Sequence, residues 1–215
     1  MKAYFISGLG ADRRVFYKIQ LPSRYQPVYL EWISPLPNEN FSDYAKRFSK
    51  LIQPDEDFIL IGLSFGGILA SEIAKITKPK KLIIISSLSC YKELPWYFKL
   101  AGKLRLQKMI SPSLYKQATI INRFMGTGNK EMKNIVYDYV RKTDSEFIRW
   151  SLNAILNWSQ LDKLPNLIHI HGSNDHLLPL RFVNADYIVR NGGHLMVMNK
   201  ANEVNGILKE ILITN

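Results

Sequence analysis

The chain has 215 residues, of which 47% are hydrophobic and 22% are charged, a composition that fits one globular domain and excludes a disordered chain. Its net charge of +11 allows an acidic partner, and residues 91–150 are especially rich in lysine and arginine. Because these basic residues do not alternate with stacking aromatics as in a nucleic-acid-binding module, we expect solvated helix faces and no nucleic-acid partner.

The apolar runs of the sequence are short. The longest, residues 58–63 and 82–85, fall far below the roughly 20 residues that a membrane-spanning helix needs, so we expect no integral membrane segment. The first residues do not form an apolar leader, and the single cysteine, Cys90, cannot form an internal disulfide. These features predict a cytoplasmic location and leave the oligomeric state open.

Apolar segments that end in glycine or serine alternate with helical patterns along the chain. The segments that predict strands are residues 3–7, 28–32, 58–63, 82–86, 167–171 and 187–189. Helical patterns lie between several of them, for example at residues 42–52. Continuous apolar strands that alternate with helices predict a parallel sheet buried on both faces. The predicted fold class is therefore α/β, with a mostly parallel, six-stranded, doubly wound sheet.

The first predicted strand leads into a glycine-bearing loop, residues 7–12. Its glycines permit a backbone that turns inward and presents N–H groups at the end of the strand. A phosphate-binding loop is the weaker interpretation, because no lysine or threonine completes such a motif.

The most specific motif is Gly-Leu-Ser-Phe-Gly-Gly at residues 62–67, which follows the third predicted strand and precedes a helical pattern at residues 68–76. A serine at a tight strand-to-helix turn takes a strained backbone conformation that lifts its hydroxyl clear of the sheet. Ser64 is therefore the candidate nucleophile. The alternatives are an ordinary strand–helix connection or a phosphate loop, but the lysine of a P-loop is missing.

Residues 91–160 interrupt the alternation. Helical patterns at residues 114–124, 130–141 and 146–158 predict a helical insertion between the fourth and fifth strands of a single domain that spans residues 1–215. Most of its aromatic side chains should pack the insertion onto the core, and a minority should line an apolar acyl pocket. These aromatic residues are Trp96, Tyr97, Phe98, Tyr115, Phe124, Phe147, Trp150 and Trp158.

A serine nucleophile needs a histidine base that a carboxylate orients. Asp175 and His194 each stand in a loop after a predicted strand, so they should reach the same sheet edge as Ser64. Turn capping by Asp175 and a surface loop at His194 are the alternatives. His176 is a weaker candidate base because it adjoins Asp175, and two further histidines, His169 and His171, should be hydrogen-bonded core residues.

Acyl transfer also needs backbone N–H donors for the oxyanion. The amide of Phe65, directly after the nucleophile, and the amide of Leu9 in the first loop are the candidates.

These motifs together resemble the α/β-hydrolase superfamily, especially its small methylesterase-like and hydroxynitrile-lyase-like members. The resemblance rests on the loop at residues 5–10, the nucleophile elbow at 62–67, the acid loop at 172–179 and the base loop at 192–195. It implies that the insertion at about residues 91–160 is a cap over the active site. The sequence departs from the family by lacking the first two strands, by having Ser7 where many members carry histidine, and by a short spacing between acid and base.

The expected function is that of a serine hydrolase that cleaves a small carboxylic ester or thioester through an acyl-enzyme. Its expected partner is therefore a small-molecule substrate, and neither a metal nor an organic cofactor is implied. A lyase or acyltransferase that uses the same three residues, and a non-catalytic ligand-binding protein, are the alternatives.

Overall fold

The computed structural model describes residues 1–53, 57–105 and 130–213. Six strands form one sheet with the order β2-β1-β3-β4-β5-β6, and every neighbouring pair is parallel. The strands are β1 (Lys2–Ile6), β2 (Gln26–Leu30), β3 (Phe58–Leu63), β4 (Lys81–Ile85), β5 (Leu167–Gly172) and β6 (Tyr187–Val189). The predicted parallel six-stranded sheet is confirmed, and its first strand is the one that leads into the loop at residues 7–12.

Helices cover the sheet. No helix in the described ranges is long and apolar enough to cross a membrane. The described part of the chain contains the α-helices α1 (Phe41–Phe48), α2 (Phe65–Thr77), α3 (Trp96–Lys103), α4 (Lys130–Lys142), α5 (Ser145–Leu156), α6 (Met196–Asn199) and α7 (Ala201–Ile213).

The sheet is buried on both faces because successive side chains of a strand point to opposite sides. In β1, Phe5 belongs to the core that includes Leu208 of α7, whereas Tyr4 belongs to the core that includes Tyr44 of α1 and Leu69 of α2. Strands β3 and β4 are almost entirely apolar and divide between the same two cores. The doubly wound arrangement predicted from the sequence is therefore confirmed.

The element boundaries differ from the prediction in a few places. The helix predicted at residues 42–52 ends as an α-helix at Phe48 and continues as a 3-10 turn, Ser49–Leu51. The sequence pattern missed α3, which starts directly after Pro95 and has no fully buried residue, so it lacks a clear apolar face. Between the acid and base loops the chain forms a short 3-10 helix, Leu180–Phe182, in agreement with the short spacing.

The insertion between β4 and β5 contains α3, α4 and α5 and no strand among its described residues. The helix predicted at residues 114–124 and the turn predicted at residues 126–129 lie outside the part of the chain that the structure describes. The interpretation of residues 91–160 as a cap on a single domain stays a prediction.

The parallel topology brings the candidate residues to one edge. The loop at residues 7–12 follows β1, Ser64 follows β3, and the acid and base loops follow β5 and β6. Because the carboxyl ends of parallel strands share an edge, these four segments converge there.

Candidate active site

Ser64 occupies the turn between β3 and α2 in a backbone conformation that is rare for a residue with a side chain, with φ of 52° and ψ of −122°. A Cβ atom at Gly62 would lie 2.4 Å from the carbonyl oxygen of Gly66, and one at Gly66 would lie 2.3 Å from that of Ile6. Only glycine fits at both positions, which allows the strand, the helix and β1 to approach closely. The Ser64 amide donates to the carbonyl of Ile85 at 2.9 Å, which fastens the turn to β4.

Three side chains that are far apart in the sequence form a continuous hydrogen-bonded line at this edge. The Oγ of Ser64 lies 2.9 Å from Nε2 of His194, and Nδ1 of His194 lies 2.8 Å from Oδ2 of Asp175. Since the carboxylate can only accept, Nδ1 of His194 carries a proton and the lone pair of Nε2 faces the serine hydroxyl. This arrangement can remove the proton from Ser64 as its oxygen bonds to carbon.

Asp175 is 3% exposed and remains ionised through its hydrogen bonds. Burial alone would raise its pKa, but the electrostatic attraction and hydrogen bond of the His194 ring and the backbone hydrogen bond from Leu178 hold that pKa below its ordinary value. The second carboxylate oxygen, Oδ1, accepts from the amides of Leu177 and Leu178, both at 2.9 Å. Three hydrogen bonds, two to Oδ1 and one to Oδ2, therefore fix the orientation of the carboxylate.

Backbone contacts join the acid loop to the base loop. The Asn174 amide donates to the carbonyl of Gly192 at 2.9 Å, and the Ser173 amide donates to that of Val189 at 3.0 Å. The Oγ of Ser173 accepts from the amide of Asn191, a residue with a left-handed φ of 55°. These contacts fix the two loops relative to each other, so the distance between Asp175 and His194 is set by backbone as well as side chains.

The other three histidines lie away from Ser64. His176 is exposed, and its Nε2 donates to the side-chain oxygen of Asn174. His169 and His171 are fully buried on β5 and lie 3.2 Å apart through ring nitrogens, in agreement with the expectation of hydrogen-bonded core histidines. The line from Ser64 therefore runs through His194 alone.

Side-chain hydrogen bonds shape the loop at residues 7–12. The Ser7 hydroxyl donates to the carbonyl of Ala11 at 2.7 Å and accepts from the indole Nε1 of Trp32 at 3.0 Å. Ser7 thereby closes the loop and ties it to the segment that follows β2, a role that its position before a glycine did not reveal. The amides of Leu9 and Phe65 both belong to segments that border Ser64, and their action as oxyanion donors stays a prediction.

A cavity of about 20 Å³ adjoins Ser64 and His194. Its remaining walls are the loop at residues 8–11, Val15, Leu63, Val136 and Tyr139 of α4, and Leu195. The lining is apolar apart from the site itself and Tyr139, and the volume suits a water molecule or a methyl group. No set of three or more His, Cys, Asp or Glu residues within the described ranges is arranged to hold a metal ion.

A polar cluster joins α4 to the loop beside Ser64. The Tyr139 hydroxyl donates to the Asp12 carboxylate and accepts from Nε of Arg14, and Arg14 also contacts Asp138 at 3.1 Å. Burial, and then the hydrogen bond to Asp12, raise the pKa of Tyr139 far above its ordinary value, so its proton remains in place. Sequence reasoning missed this contact because Asp12 and Tyr139 are 127 residues apart.

Aromatic side chains pack α5 against the core next to the turn that carries Ser64. The ring of Phe65 stacks on Trp32 at a centroid distance of 5.2 Å and on Phe41 at 5.6 Å. Trp150 of α5 lies 6.3 Å from Phe65 and 4.4 Å from Tyr44. Trp150 thus packs α5 beside Phe65 and Tyr44. Of the other aromatic residues of the insertion, Phe147 and Trp158 are buried and Trp96 is exposed, while Tyr115 and Phe124 lie outside the described residues.

Comparison with solved structures identifies the fold. A carboxylesterase from the thaumarchaeon Nitrososphaera gargenis superposes with a TM-score of 0.75 at 16% identity, covering 99% of this chain and 89% of the other. A hydrolase from Oleispira antarctica superposes with a TM-score of 0.71 at 13% identity, covering 100% of this chain and 91% of the other. A bromoperoxidase from Bacillus anthracis superposes with a TM-score of 0.69 at 14% identity, covering 96% of this chain and 90% of the other.

Neither a protein-family model nor a curated protein matches the sequence. The similarity to solved structures therefore lies in the fold, over nearly the whole length of both chains and at low identity. The parallel sheet, the serine at the strand–helix turn and these superpositions agree: the chain has the α/β-hydrolase fold.

Proposed function

We propose that the protein is a serine hydrolase that cleaves a small carboxylic ester or thioester through an acyl-enzyme intermediate. The observation that carries the proposal is the line from Ser64 Oγ through His194 to Asp175, with distances of 2.9 and 2.8 Å. Fold alone does not determine function, so the argument rests on this site. The strained backbone of Ser64 supports it, since such strain is concentrated at functional residues.

In the proposed reaction, the Ser64 oxygen bonds to the acyl carbon while Nε2 of His194 takes the hydroxyl proton. The tetrahedral intermediate then expels the alcohol or thiol, which receives that proton from His194. A water molecule attacks the acyl-enzyme with His194 again as base, and the carboxylic acid leaves as Ser64 regains its proton. Asp175 stays ionised throughout and stabilises the imidazolium.

The amides of Leu9 and Phe65 are the proposed oxyanion donors. Phe65 is the first residue of α2, so its amide lies at the positive end of the helix dipole. Loss of a single oxyanion donor typically lowers kcat by about 10²–10³-fold. The hydrogen bonds of Ser7 support a fixed position for the loop that carries Leu9.

The size of the cavity supports a short acyl group. Its volume of about 20 Å³ and its valine and leucine walls suit an acetyl methyl group better than a long chain. A lyase or acyltransferase that uses the same residues would share Ser64 and His194, and adding a competing alcohol to look for a transesterified product separates transfer from hydrolysis. A non-catalytic ligand-binding protein would show neither activity.

The test is hydrolysis of p-nitrophenyl acetate, butanoate and octanoate by the purified protein. Ser64→Ala should reduce kcat by roughly 10⁶-fold. His194→Ala should cause a similar loss, whereas His176→Ala, the same substitution at an exposed histidine, should leave the rate unchanged. Full esterase activity in Ser64→Ala, or no turnover of any ester by the native protein, would overturn the proposal.

A further inference from the structure

Two further imidazoles lie near Asp175. His169 and His171 project from the same face of β5 and are both fully buried. Nε2 of His169 lies 3.2 Å from Nδ1 of His171, and Nε2 of His171 lies 2.8 Å from the carbonyl oxygen of Leu178. The proposed reaction uses neither ring, so their burial calls for another explanation.

The Leu178 carbonyl fixes the position of every proton in this pair. A carbonyl only accepts, so Nε2 of His171 must carry the hydrogen. In a neutral ring, Nδ1 of His171 then has a lone pair and must accept from Nε2–H of His169. With both rings neutral, each ring therefore carries its proton on Nε2.

The second ring nitrogen of His169, Nδ1, disfavours the arrangement in which Nδ1 of His171 carries a proton. Nδ1 of His169 is buried and has no hydrogen-bond partner in the described structure. If His171 gained a proton on Nδ1, Nε2 of His169 would have to accept a hydrogen bond from it. His169 would then carry its own proton on Nδ1, the nitrogen that has no partner. A buried N–H without an acceptor is costly, so His169 opposes protonation of His171.

The acid loop is fastened to this pair through Leu178. The Leu178 amide donates to Oδ1 of Asp175 at 2.9 Å, and its carbonyl accepts from His171. Nε2 of His171 also lies 3.6 Å from Oδ2 of Asp175, the oxygen that accepts from His194. This distance is too long for a hydrogen bond but brings the N–H dipole close to the carboxylate.

We propose that His169 and His171 are positioning residues: His169 holds His171 in its neutral Nε2–H form, and His171 in turn fixes the acid loop and leaves His194 as the one cationic partner of Asp175. A protonated His171 would compete with His194 for the same carboxylate. This inference rests on the proposed function for its effect on turnover, but the proton positions follow from the buried contacts alone.

The charged and titratable groups around the pair support this assignment. Asp175 and His194 face His171, and Lys163 approaches His169 while it is bound to Asp186 at 2.6 Å. Burial, and then the neighbouring His171 and Lys163, lower the pKa of His169 well below its ordinary value. Burial likewise lowers the pKa of His171 against the opposing influence of Asp175.

The direct test is ¹⁵N NMR of the histidine rings in the native protein. The inference predicts that His169 and His171 are both neutral with the proton on Nε2, and that neither titrates between about pH 5.5 and 8, where an ordinary histidine does. A proton on Nδ1 of His171, or titration of His171 in this range, would overturn it. The measurement needs no variant and no substrate.

Paired variants test the effect on the reaction. Glutamine places an N–H near the position of a histidine Nε2, and leucine removes it. His171→Leu should lower kcat by about tenfold with KM little changed, and His171→Gln should recover most of the loss. Equal kcat values for the native protein and a folded His171→Leu variant would overturn the positioning role.

The second pair addresses protonation. His169→Leu removes the hydrogen-bond donor to Nδ1 of His171, so that this nitrogen can take up a proton. The ratio of kcat at about pH 6 to kcat at about pH 8 should then fall at least about threefold below the native ratio. His169→Gln keeps a donor at this position and should keep the native ratio. An unchanged ratio in a folded His169→Leu variant would contradict the role of His169. If the native protein hydrolyses no ester, the proposed function fails, whereas the NMR result still decides the proton positions.

Discussion

The hydroxyl of Ser87 donates a 2.7 Å hydrogen bond to the backbone carbonyl of Ser64. Ser87 follows β4, the strand next to the one that precedes Ser64, and is fully buried. The same carbonyl accepts from the amide of Gly67 at 2.9 Å. The strained turn is thus held from the neighbouring strand as well as from its own helix.

Removing this contact should loosen the turn. We expect Ser87→Ala to lower the free energy of unfolding by about 1 kcal/mol and to lower kcat more than it changes KM, because the position of Ser64 relaxes. Ser71→Ala is the matched control, since the Ser71 hydroxyl bonds only within α2, to Gly67 at 3.0 Å. Ester kinetics and urea unfolding measure both effects, and a native kcat in Ser87→Ala would contradict the prediction.

The close approach of α2 to β1 should not tolerate a methyl group at Gly66. A Cβ there would meet the backbone oxygens of Ile6 and Ser7 at 2.3 Å, and backbone cannot move aside cheaply. We expect Gly66→Ala to destabilise the fold by at least about 1–3 kcal/mol. Gly206→Ala, in open space on α7, should instead stabilise it by up to about 1 kcal/mol. Thermal unfolding of both variants checks this, and equal shifts would count against the packing argument.

The valine of α4 beside the cavity should limit the acyl chain. Val136 lines the cavity whereas Val140, one turn later on the same helix, does not. One methylene in an apolar pocket is worth about 1–3 kcal/mol, so Val136→Ala should raise the ratio of kcat/KM for butanoate over acetate esters by at least about tenfold. Val140→Ala should leave the ratio unchanged. If both variants keep the native ratio, this cavity does not hold the acyl group.

The buried histidines predict a loss of stability in acid. The pKa of His169, lowered chiefly by burial, keeps it neutral in the folded state, while the unfolded chain binds the proton below about pH 6.5. The unfolded state therefore holds more protons, and the free energy of unfolding falls with decreasing pH by up to about 1.4 kcal/mol per pH unit for each such proton.

Urea unfolding between about pH 8 and pH 5 measures this slope. His169→Leu should flatten it, because one proton uptake is removed, and His176→Gln at an exposed position should not. A His169→Leu slope equal to that of the native protein would show that His169 is protonated in both states or in neither.

The sequence predicted that Ser64, Asp175 and His194 lie at one edge of the sheet, because parallel strands place their carboxyl ends there. Ser64 directly follows β3, and Asp175 and His194 stand in the loops after β5 and β6, strands that the sequence marks by short, mainly apolar runs. The glycines around Ser64 were a further signal, because a tight turn between strand and helix requires them. The positions of these loops after the strands followed from the same pattern, whereas the strand order came from the structure.

Other parts of the site had no sequence signal. Ser87 stands in an ordinary run of small residues after β4, and its bond to Ser64 depends on the register of two strands. Tyr139 reaches Asp12 only because α4 packs over the first loop. His169 and His171 were recognisable as core residues, but the tautomers follow from the carbonyl of Leu178, whose position depends on the fold of the acid loop.

The most direct measurement is the covalent labelling of the native protein by a fluorophosphonate, followed by peptide mass spectrometry. Activation of Ser64 by His194 predicts one adduct, on Ser64, that disappears in Ser64→Ala and forms at least about 10³-fold more slowly in His194→Ala. Absence of an adduct, an adduct on another residue, or an equal labelling rate in His194→Ala would contradict the central claim that these two residues act together as nucleophile and base.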